Sequence, residues 1–125
     1  MKIDTPYPKP NLDVTVIETL REYHPKTLAA FKSFQHDQLE LFAKKQLAYG
    51  SGNIAMGTAL KTDADIRLAL TALTIRMNDK SQRLINLVVK DNKNTVPEES
   101  VIDTFMDISI YGIIAMIVND GSWGK

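Results

Sequence analysis

The stretch EESVIDTFMDISIYGIIAMIV, from Glu98 to Val118, is the most apolar part of this chain and decides its fold. Between Ser100 and Val118 the only charged side chains are those of Asp103 and Asp107, which lie one helical turn apart. An ionised carboxylate on a buried helix is costly unless it is paired, hydrogen-bonded or bound to a metal. The two aspartates are therefore the first candidates for a functional site.

This stretch predicts a helix with clear signals at both ends. Thr95-Val96-Pro97-Glu98 combines a capping box with a proline just inside the first turn, and Gly121 follows the apolar run. The run contains β-branched residues, but it continues a capped helical pattern, so a strand is not expected.

Three more helices are predicted, over Asp13 to Tyr23, over Pro25 to Tyr49, and from Asp63 to about Leu87 after the cap residue Thr62. The chain is thus expected to be all-α, a single-domain bundle of about four helices over residues 13–125. Residues 1–12 contain three prolines and are expected to form an extended arm. The side chains expected to pack inward from the first two helices are Val14, Ile17, Leu20, Leu28, Phe31, Phe34, Leu39, Phe42 and Leu47.

The composition excludes several classes of protein. Fifteen basic residues balance fifteen acidic ones, which argues against nonspecific binding to nucleic acid and weakly favours self-association into a homo-oligomer. Cysteine is absent, so thiolate metal sites and cysteine nucleophiles are excluded. The N-terminus lacks the apolar core of a signal peptide, and the run from Ile108 to Val118 is shorter than the roughly 20 residues of a bilayer span. We expect a cytoplasmic protein without membrane contact.

The predicted fourth helix offers a candidate metal site. Glu99, Asp103 and Asp107 follow one another at intervals of four residues, so all three lie on one face of a helix. Neighbouring carboxylates can share a hard cation such as Mg²⁺, and they repel each other without a positive partner. The alternative is that lysine or arginine side chains of a neighbouring helix pair with them.

The predicted third helix supplies such basic residues. Lys80 interrupts an apolar stripe with a charge, and Arg76 and Arg83 lie about one turn before and after it. We expect Lys80 to reach the acids of the fourth helix or a ligand; alternatively, its stem covers apolar surface while its ammonium group reaches water. The arginines suit either a salt-bridge network or phosphate oxygens. The stripe consists of Ile66, Leu70, Leu73, Met77, Leu84 and Leu87.

The predicted second helix and the loop after it add weaker candidates. Glu40 would complete an acidic cluster with the fourth helix, or it pairs with Lys44 on a solvated face. His36, four residues before Glu40, lacks the further ligands of a zinc site. In the loop, Tyr49 and Asn53 have the chemistry to stack on a base and to hydrogen-bond it, although the loop also suits a simple helix-ending turn.

Several blocks of this sequence resemble one known family. KQLAYG at 45–50, Gly52-Asn53, IRMNDKSQRLINL at 75–87 and ESVIDTFMDISIY at 99–111 are similar to the nucleotide-modification-associated domain of the first type, a small helical family of phages and bacteria. The resemblance covers roughly residues 34–118. It implies a role in nucleotide metabolism or DNA base modification. The family's matching positions here are Tyr49, Gly50, Lys80, Arg83, Glu99, Asp103 and Asp107.

The chain also resembles, more distantly, the all-α nucleoside triphosphate pyrophosphohydrolases. That resemblance implies acids on two helices, bound Mg²⁺ and hydrolysis of a nucleoside triphosphate. The sequence departs from the motifs of these enzymes, because Asp37-x-x-Glu40 is a reduced version of the first and Glu99 and Asp103 are four residues apart rather than three.

These observations give one main hypothesis with two alternatives. The chain is a phage or bacterial protein that binds or processes a nucleotide, with Mg²⁺ as cofactor if it is a hydrolase. It is alternatively a noncatalytic nucleotide-binding module, or a helical interaction subunit with an internal ion network. The candidate catalytic residues are Glu40, Glu99 and Asp103; the candidate nucleotide-binding residues are Tyr49, Asn53, Arg76, Lys80 and Arg83; the candidate metal ligands are Glu40, Glu99, Asp103 and Asp107.

Overall fold

The computed structural model describes residues 13–125, and these residues form helices without any strand. The all-α expectation is confirmed, while the expected arm over residues 1–12 lies outside the described part. The helices are α1 (Val14–Tyr23), α2 (Pro25–Tyr49), the single turn α3 (Gly52–Ala55), α4 (Asp63–Leu84), which continues as a π-helical turn (Ile85–Val89), and α5 (Val101–Asp120).

Most helix ends lie where the sequence signals place them. The Asp13 carboxylate accepts the backbone N–H groups of Thr15 and Val16 at the start of α1. Thr62 and Asp65 form a reciprocal capping box at the start of α4. Gly50 ends α2 with a positive φ of 72°, a backbone conformation that glycine adopts without steric cost.

The start of α5 differs from the prediction, because a second capping box lies further along the chain. Ser100 Oγ accepts the N–H of Asp103 at 3.0 Å, and Asp103 Oδ2 accepts the N–H of Ser100 at 3.0 Å. Thr95 and Pro97 lie in the preceding turn, where Asn94 Oδ1 accepts the N–H of Val96. The helix therefore begins at Val101, and the predicted start at Thr95–Glu98 is wrong.

The core lies where α4 and α5 pack against each other. Ala69 and Leu73 of α4 meet Ile110, Ile114 and Val118 of α5, and all five are buried. The short helix α3 and the C-terminal segment close the core with Ile54 and Trp123. Trp123 donates its indole N–H to the carbonyl of Ser51, which fixes the end of the chain on the loop after α2.

The first half of the chain packs less tightly than expected. Leu28 is the only buried residue between Val14 and Asp37, and α1 packs on α2. Ile17, Leu20 and Phe42 are half-buried. The expected inward packing is wrong for five side chains that are more than half exposed: Val14, Phe31, Phe34, Leu39 and Leu47. We call α1 and residues 25–37 the α1–α2 hairpin.

Among residues 13–125, α5 is the one helix whose length and composition would allow it to cross a membrane. It has 20 residues, and an 18-residue stretch within it has a mean hydropathy of 1.9, so the apolar helix is longer than the run from Ile108 to Val118 indicated. Four of its residues, 22% of the apolar stretch, are buried in this fold, and length and composition alone do not distinguish a membrane span from a core helix.

Candidate functional site

Lys80 pairs with two carboxylates, that of Glu99 just before α5 and that of Asp107 within α5. Its ammonium group lies 2.6 Å from Glu99 Oε1 and 3.1 Å from Asp107 Oδ2. On the other side of Asp107, Lys45 Nζ of α2 lies 3.4 Å from Oδ1. The prediction that Lys80 reaches acids of the fourth helix is confirmed for Asp107, while Glu99 lies just before α5.

The charges of this network stabilise one another. The hydrogen bond to Glu99 raises the pKa of Lys80, with a further contribution from Asp107, while partial burial opposes the rise. The same hydrogen bond from Lys80 is the main reason why the pKa of Glu99 is lowered. Asp107, at 15% side-chain exposure, is the more protected carboxylate, and it lies between two lysines.

Asp103 differs from Asp107 in both exposure and partner. It is exposed, so the premise that both aspartates lie on a buried helix face is wrong for Asp103. Hydrogen bonds from the backbone and then the side chain of Ser100 lower the pKa of Asp103. Its carboxylate is thereby used to begin α5.

Arg83 fastens the segment before α5 to α4. One terminal nitrogen of its guanidinium donates to the Ser100 carbonyl and to Thr104 Oγ1, and the other donates to Asn94 Oδ1 and to the Glu99 carbonyl. Thr104 is fully buried. Both terminal nitrogens thus serve protein acceptors, which gives Arg83 a structural role distinct from the phosphate contact expected from its sequence.

Glu40 lies on the solvated face of α2. Lys44 Nζ is 2.8 Å from Glu40 Oε1, and His36 Nε2 is 3.9 Å from Oε2, with all three side chains more than half exposed. The hydrogen bond from Lys44 lowers the pKa of Glu40. The alternative in which Glu40 pairs with Lys44 is therefore the one that the structure adopts.

The four candidate metal ligands are not gathered around one point. Glu40 pairs with Lys44, Asp103 caps α5, and the other two share Lys80. Across residues 13–125, no three carboxylate or histidine side chains group as they would around a metal ion. In this arrangement Glu99 and Asp107 both pair with the ammonium group of Lys80.

A cleft beside this network collects other predicted residues. It has a volume of about 250 Å³ and opens between α2, α3, α4 and α5. Its polar lining comes from Lys45, Gln46, Tyr49, Asn53, Arg76, Asp107 and Tyr111. Its apolar lining comes mainly from Phe42, Ile54, Ile110, Ile114 and Trp123. We call it the Tyr49 cleft.

Several polar groups in the Tyr49 cleft have no partner among residues 13–125. Arg76 uses one terminal nitrogen, which donates to the Asn53 carbonyl at 3.2 Å and positions the guanidinium at the wall. The rest of its donors, the Asn53 amide and the hydroxyls of Tyr49 and Tyr111 make no hydrogen bond within the described part of the chain. Two cations, one carboxylate and several donors therefore meet aromatic surface in one cleft.

Sequence reasoning identified Tyr49, Asn53, Arg76 and Asp107 as site residues, and all four line this cleft. It missed Lys45, although Lys45 lies four residues before Tyr49, on the same face of α2. Trp123 is 7% exposed and packs edge-on against Phe42, so it anchors the packing of the cleft wall.

Comparison with known proteins does not assign a function to this site. No family model, no curated protein and no solved structure matches the chain.

Proposed function

We propose that this protein binds a nucleotide in the Tyr49 cleft. The observation that carries the proposal is the convergence of Tyr49, Asn53, Arg76 and Asp107, which come from four separate elements, on one cleft. Small-ligand sites combine apolar surface with a few polar groups that fix orientation, and the cleft has both.

The cleft's chemistry suits the two ends of a nucleotide. An exposed tyrosine ring such as that of Tyr49 offers a stacking surface to a base, an interaction worth roughly 1–3 kcal/mol per base. The Asn53 amide can donate to a base edge and accept from it. Arg76 and Lys45 supply positive charge for phosphate oxygens, and the unused donors of Arg76 favour Arg76 as the main phosphate contact.

The size of the cleft restricts the ligand. A volume of about 250 Å³ lies just below the roughly 300 Å³ at which typical small-molecule sites begin. We therefore favour a nucleoside monophosphate, or a longer nucleotide whose outer phosphates extend into solvent. The sequence resemblance supports a role in nucleotide metabolism or DNA base modification in bacterial or phage-infected cytoplasm.

Magnesium-dependent hydrolysis of a nucleoside triphosphate is the second candidate. The observation that favours it is that Glu99 and Asp107 place two carboxylate oxygens within 3.1 Å of one position, which Lys80 Nζ occupies in this structure. A divalent ion at that point would have to replace Lys80. The second candidate therefore requires a rearrangement that the first one does not.

Binding can be tested with the chain's single tryptophan, which lies in the wall of the Tyr49 cleft. We expect nucleoside mono- and triphosphates to change Trp123 fluorescence in the absence of Mg²⁺, with affinities confirmed by calorimetry. Arg76→Gln should raise the dissociation constants of phosphate-bearing ligands at least about tenfold, which is about 1.4 kcal/mol. Arg67→Gln, which changes an exposed arginine of the same helix outside the cleft, should not.

The outcomes separate the candidates. If no nucleotide of the panel binds, or if Arg76→Gln binds as well as the unchanged protein, the nucleotide proposal is wrong. If Mg²⁺ is required and pyrophosphate is released from a triphosphate, the protein is a Mg²⁺-dependent hydrolase rather than a nucleotide-binding protein alone.

A further inference from the structure

The carboxylate of Asp107 has no role yet in the binding of a nucleotide to the Tyr49 cleft. Among the described residues that line this cleft, Asp107 is the single acid. A phosphate group is an anion, so a carboxylate repels it. An ionised carboxylate only accepts hydrogen bonds, so Asp107 requires a ligand group that donates an O–H or an N–H.

Asp107 has the capacity to accept from such a donor. Lys80 Nζ lies 3.1 Å from its Oδ2, and Lys45 Nζ lies 3.4 Å from its Oδ1. These two ammonium groups are the partners that its side chain has within residues 13–125, whereas a carboxylate accepts about four hydrogen bonds. The contact with Lys45 is also longer than the usual N–H···O distance of about 2.9 Å. Oδ1 is therefore the oxygen with the weaker partner.

The positions of the nearby cations allow a carboxylate and a phosphate to share this cleft. Lys80 contacts Asp107 but does not line the cleft, so it offsets the charge of the carboxylate without occupying the space of a ligand. Lys45 and Arg76 both line the cleft and remain for phosphate oxygens. Asp107 is then left to contact an uncharged part of the ligand.

The spacing along α4 indicates which part of a nucleotide that is. Arg76 and Lys80 are four residues apart on one face of α4, a rise of about 6 Å. Arg76 is the main phosphate contact in the proposed function, and Lys80 contacts Asp107. In a nucleoside 5′-monophosphate the sugar hydroxyls are a few bonds from the phosphorus atom, while the edge of the base lies beyond the sugar. A ligand with its phosphate at Arg76 therefore brings its sugar hydroxyls to Asp107.

The neighbouring residue on α5 fits the same part of the ligand. Tyr111 follows Asp107 by four residues, lines the cleft, and has a hydroxyl without a hydrogen bond in the described part of the chain. The base already has Tyr49 and Asn53, at the end of α2 and in α3. The α5 wall thus presents a carboxylate and a phenolic hydroxyl, and both accept from a sugar hydroxyl.

We propose that Asp107 recognises the sugar of the bound nucleotide by accepting a hydrogen bond from one of its hydroxyls, which makes it a specificity-determining residue of the Tyr49 cleft. This inference rests on the proposed function. The donor is the 3′-hydroxyl, which ribonucleotides and deoxyribonucleotides share, or the 2′-hydroxyl, which ribonucleotides alone carry.

The first test uses the unchanged protein and needs no variant. Calorimetry without Mg²⁺ identifies the tightest-binding ribonucleoside monophosphate among those of adenine, guanine, cytosine and uracil, and then compares it with its 2′-deoxy and 3′-deoxy forms. Loss of the hydroxyl that Asp107 accepts should raise the dissociation constant at least about tenfold, because hydrogen bonds to a charged group are among the stronger ones. The analogue that binds weakly identifies the hydroxyl.

The second test assigns this discrimination to Asp107. Asp107→Asn keeps the shape of the side chain and removes its charge, so the preference for the hydroxyl should fall from at least about tenfold to about threefold or less. Asp103→Asn is the control, because Asp103 is an exposed aspartate one turn earlier on α5 and outside the cleft lining. It should leave the preference unchanged. Circular dichroism shows whether each variant is folded.

The outcomes distinguish this inference from the proposed function. If nucleotides bind and Arg76→Gln weakens them, but both deoxy forms bind as tightly as the ribonucleotide, recognition of the sugar is wrong and nucleotide binding stands. A preference for the hydroxyl that persists in full in folded Asp107→Asn would assign it to another residue. If no nucleotide binds, both proposals are wrong.

Discussion

At the scale of single residues, Lys80 places a positive charge between Glu99 and Asp107, whose carboxylates would otherwise repel each other. Its side chain is 23% exposed, so solvent screens the interaction less than at a fully exposed pair. The sequence indicated this role, because Lys80 interrupts an otherwise apolar stripe. It did not indicate that Lys45 approaches Asp107 from α2, since that contact depends on how the helices cross.

Lys80→Met tests this role and removes the charge while keeping a long side chain. We expect the free energy of unfolding at neutral pH to fall by about 1–2 kcal/mol, because two carboxylates lose their shared partner. Millimolar Mg²⁺ should then raise the melting temperature of the variant more than that of the unchanged protein. The measurement is thermal unfolding with and without Mg²⁺.

Lys44→Met is the control for this experiment, since the pair of Lys44 with Glu40 is solvent-exposed and should contribute little to stability. A Lys80→Met protein as stable as the unchanged one would show that the network does not support the fold.

Arg83 is a second residue whose shape matters as much as its charge. Arg83→Lys keeps the charge but has one ammonium group for acceptors now served by two guanidinium nitrogens. We expect a loss of about 2–3 kcal/mol in urea-induced unfolding, because partly buried acceptors remain unpaired. Arg67→Lys, at an exposed position of α4, should leave the urea midpoint unchanged. A similarly unchanged midpoint for Arg83→Lys would contradict the role given to Arg83.

At the scale of elements, local signals placed most helix ends because caps, prolines and glycines act within a few residues. The start of α5 was misplaced because Thr95 and Ser100 both begin sequences that satisfy a capping pattern. Arg83 and Asn94, which hold the Glu99 carbonyl, favour the second start. A choice between two adequate local signals is made by tertiary contacts, which a local pattern does not contain.

The two candidate caps can be distinguished by experiment. Ser100→Ala should cost about 1 kcal/mol of unfolding free energy, because the N–H of Asp103 loses its acceptor at the start of α5. Thr95→Ala should cost much less, since Thr95 is exposed and lies outside the helix. Chemical unfolding of both variants measures the difference. A larger loss for Thr95→Ala would place the start of the helix where the sequence pattern first suggested.

The candidate site was predicted only in part, because some of its residues come together only through tertiary contacts. Tyr49, Asn53 and Arg76 were found from their chemistry and their place in the chain. The aromatic wall was missed because Phe42 and Trp123 are 81 residues apart and look like ordinary core positions. The expected acidic cluster does not form, because Glu40 faces solvent and Asp103 is used as a cap.

At the scale of the whole molecule, the acids predict how stability depends on pH. The pKa values of Glu99 and Asp103 are lowered by folding, so their contribution is complete above the usual carboxyl pKa of about 4 and is lost as pH falls through the lowered values. The pKa of Lys80 is raised, so its contribution is complete below about pH 10.4 and is lost as pH rises further.

Stability should therefore be nearly constant around neutral pH and should fall below about pH 4. Urea midpoints measured between neutral pH and strongly acid pH check this. The Glu99→Gln variant should lose less stability in acid than the unchanged protein. Control measurements on Glu22→Gln, which alters an exposed acid of α1 whose carboxylate makes no ion pair or hydrogen bond among residues 13–125, should show the full loss of stability in acid. Midpoints that do not decrease in acid would contradict the role of these carboxylates.

The length of α2 has a mechanical consequence. This helix is continuous for 25 residues; its Tyr49 end lines the cleft, while its first half belongs to the projecting hairpin. A straight helix of that length is about 37 Å long, so a tilt of about 5° at the cleft would move its far end by about 3 Å. A small change in the tilt of α2 around a molecule bound in the cleft would therefore produce a larger displacement of the α1–α2 hairpin.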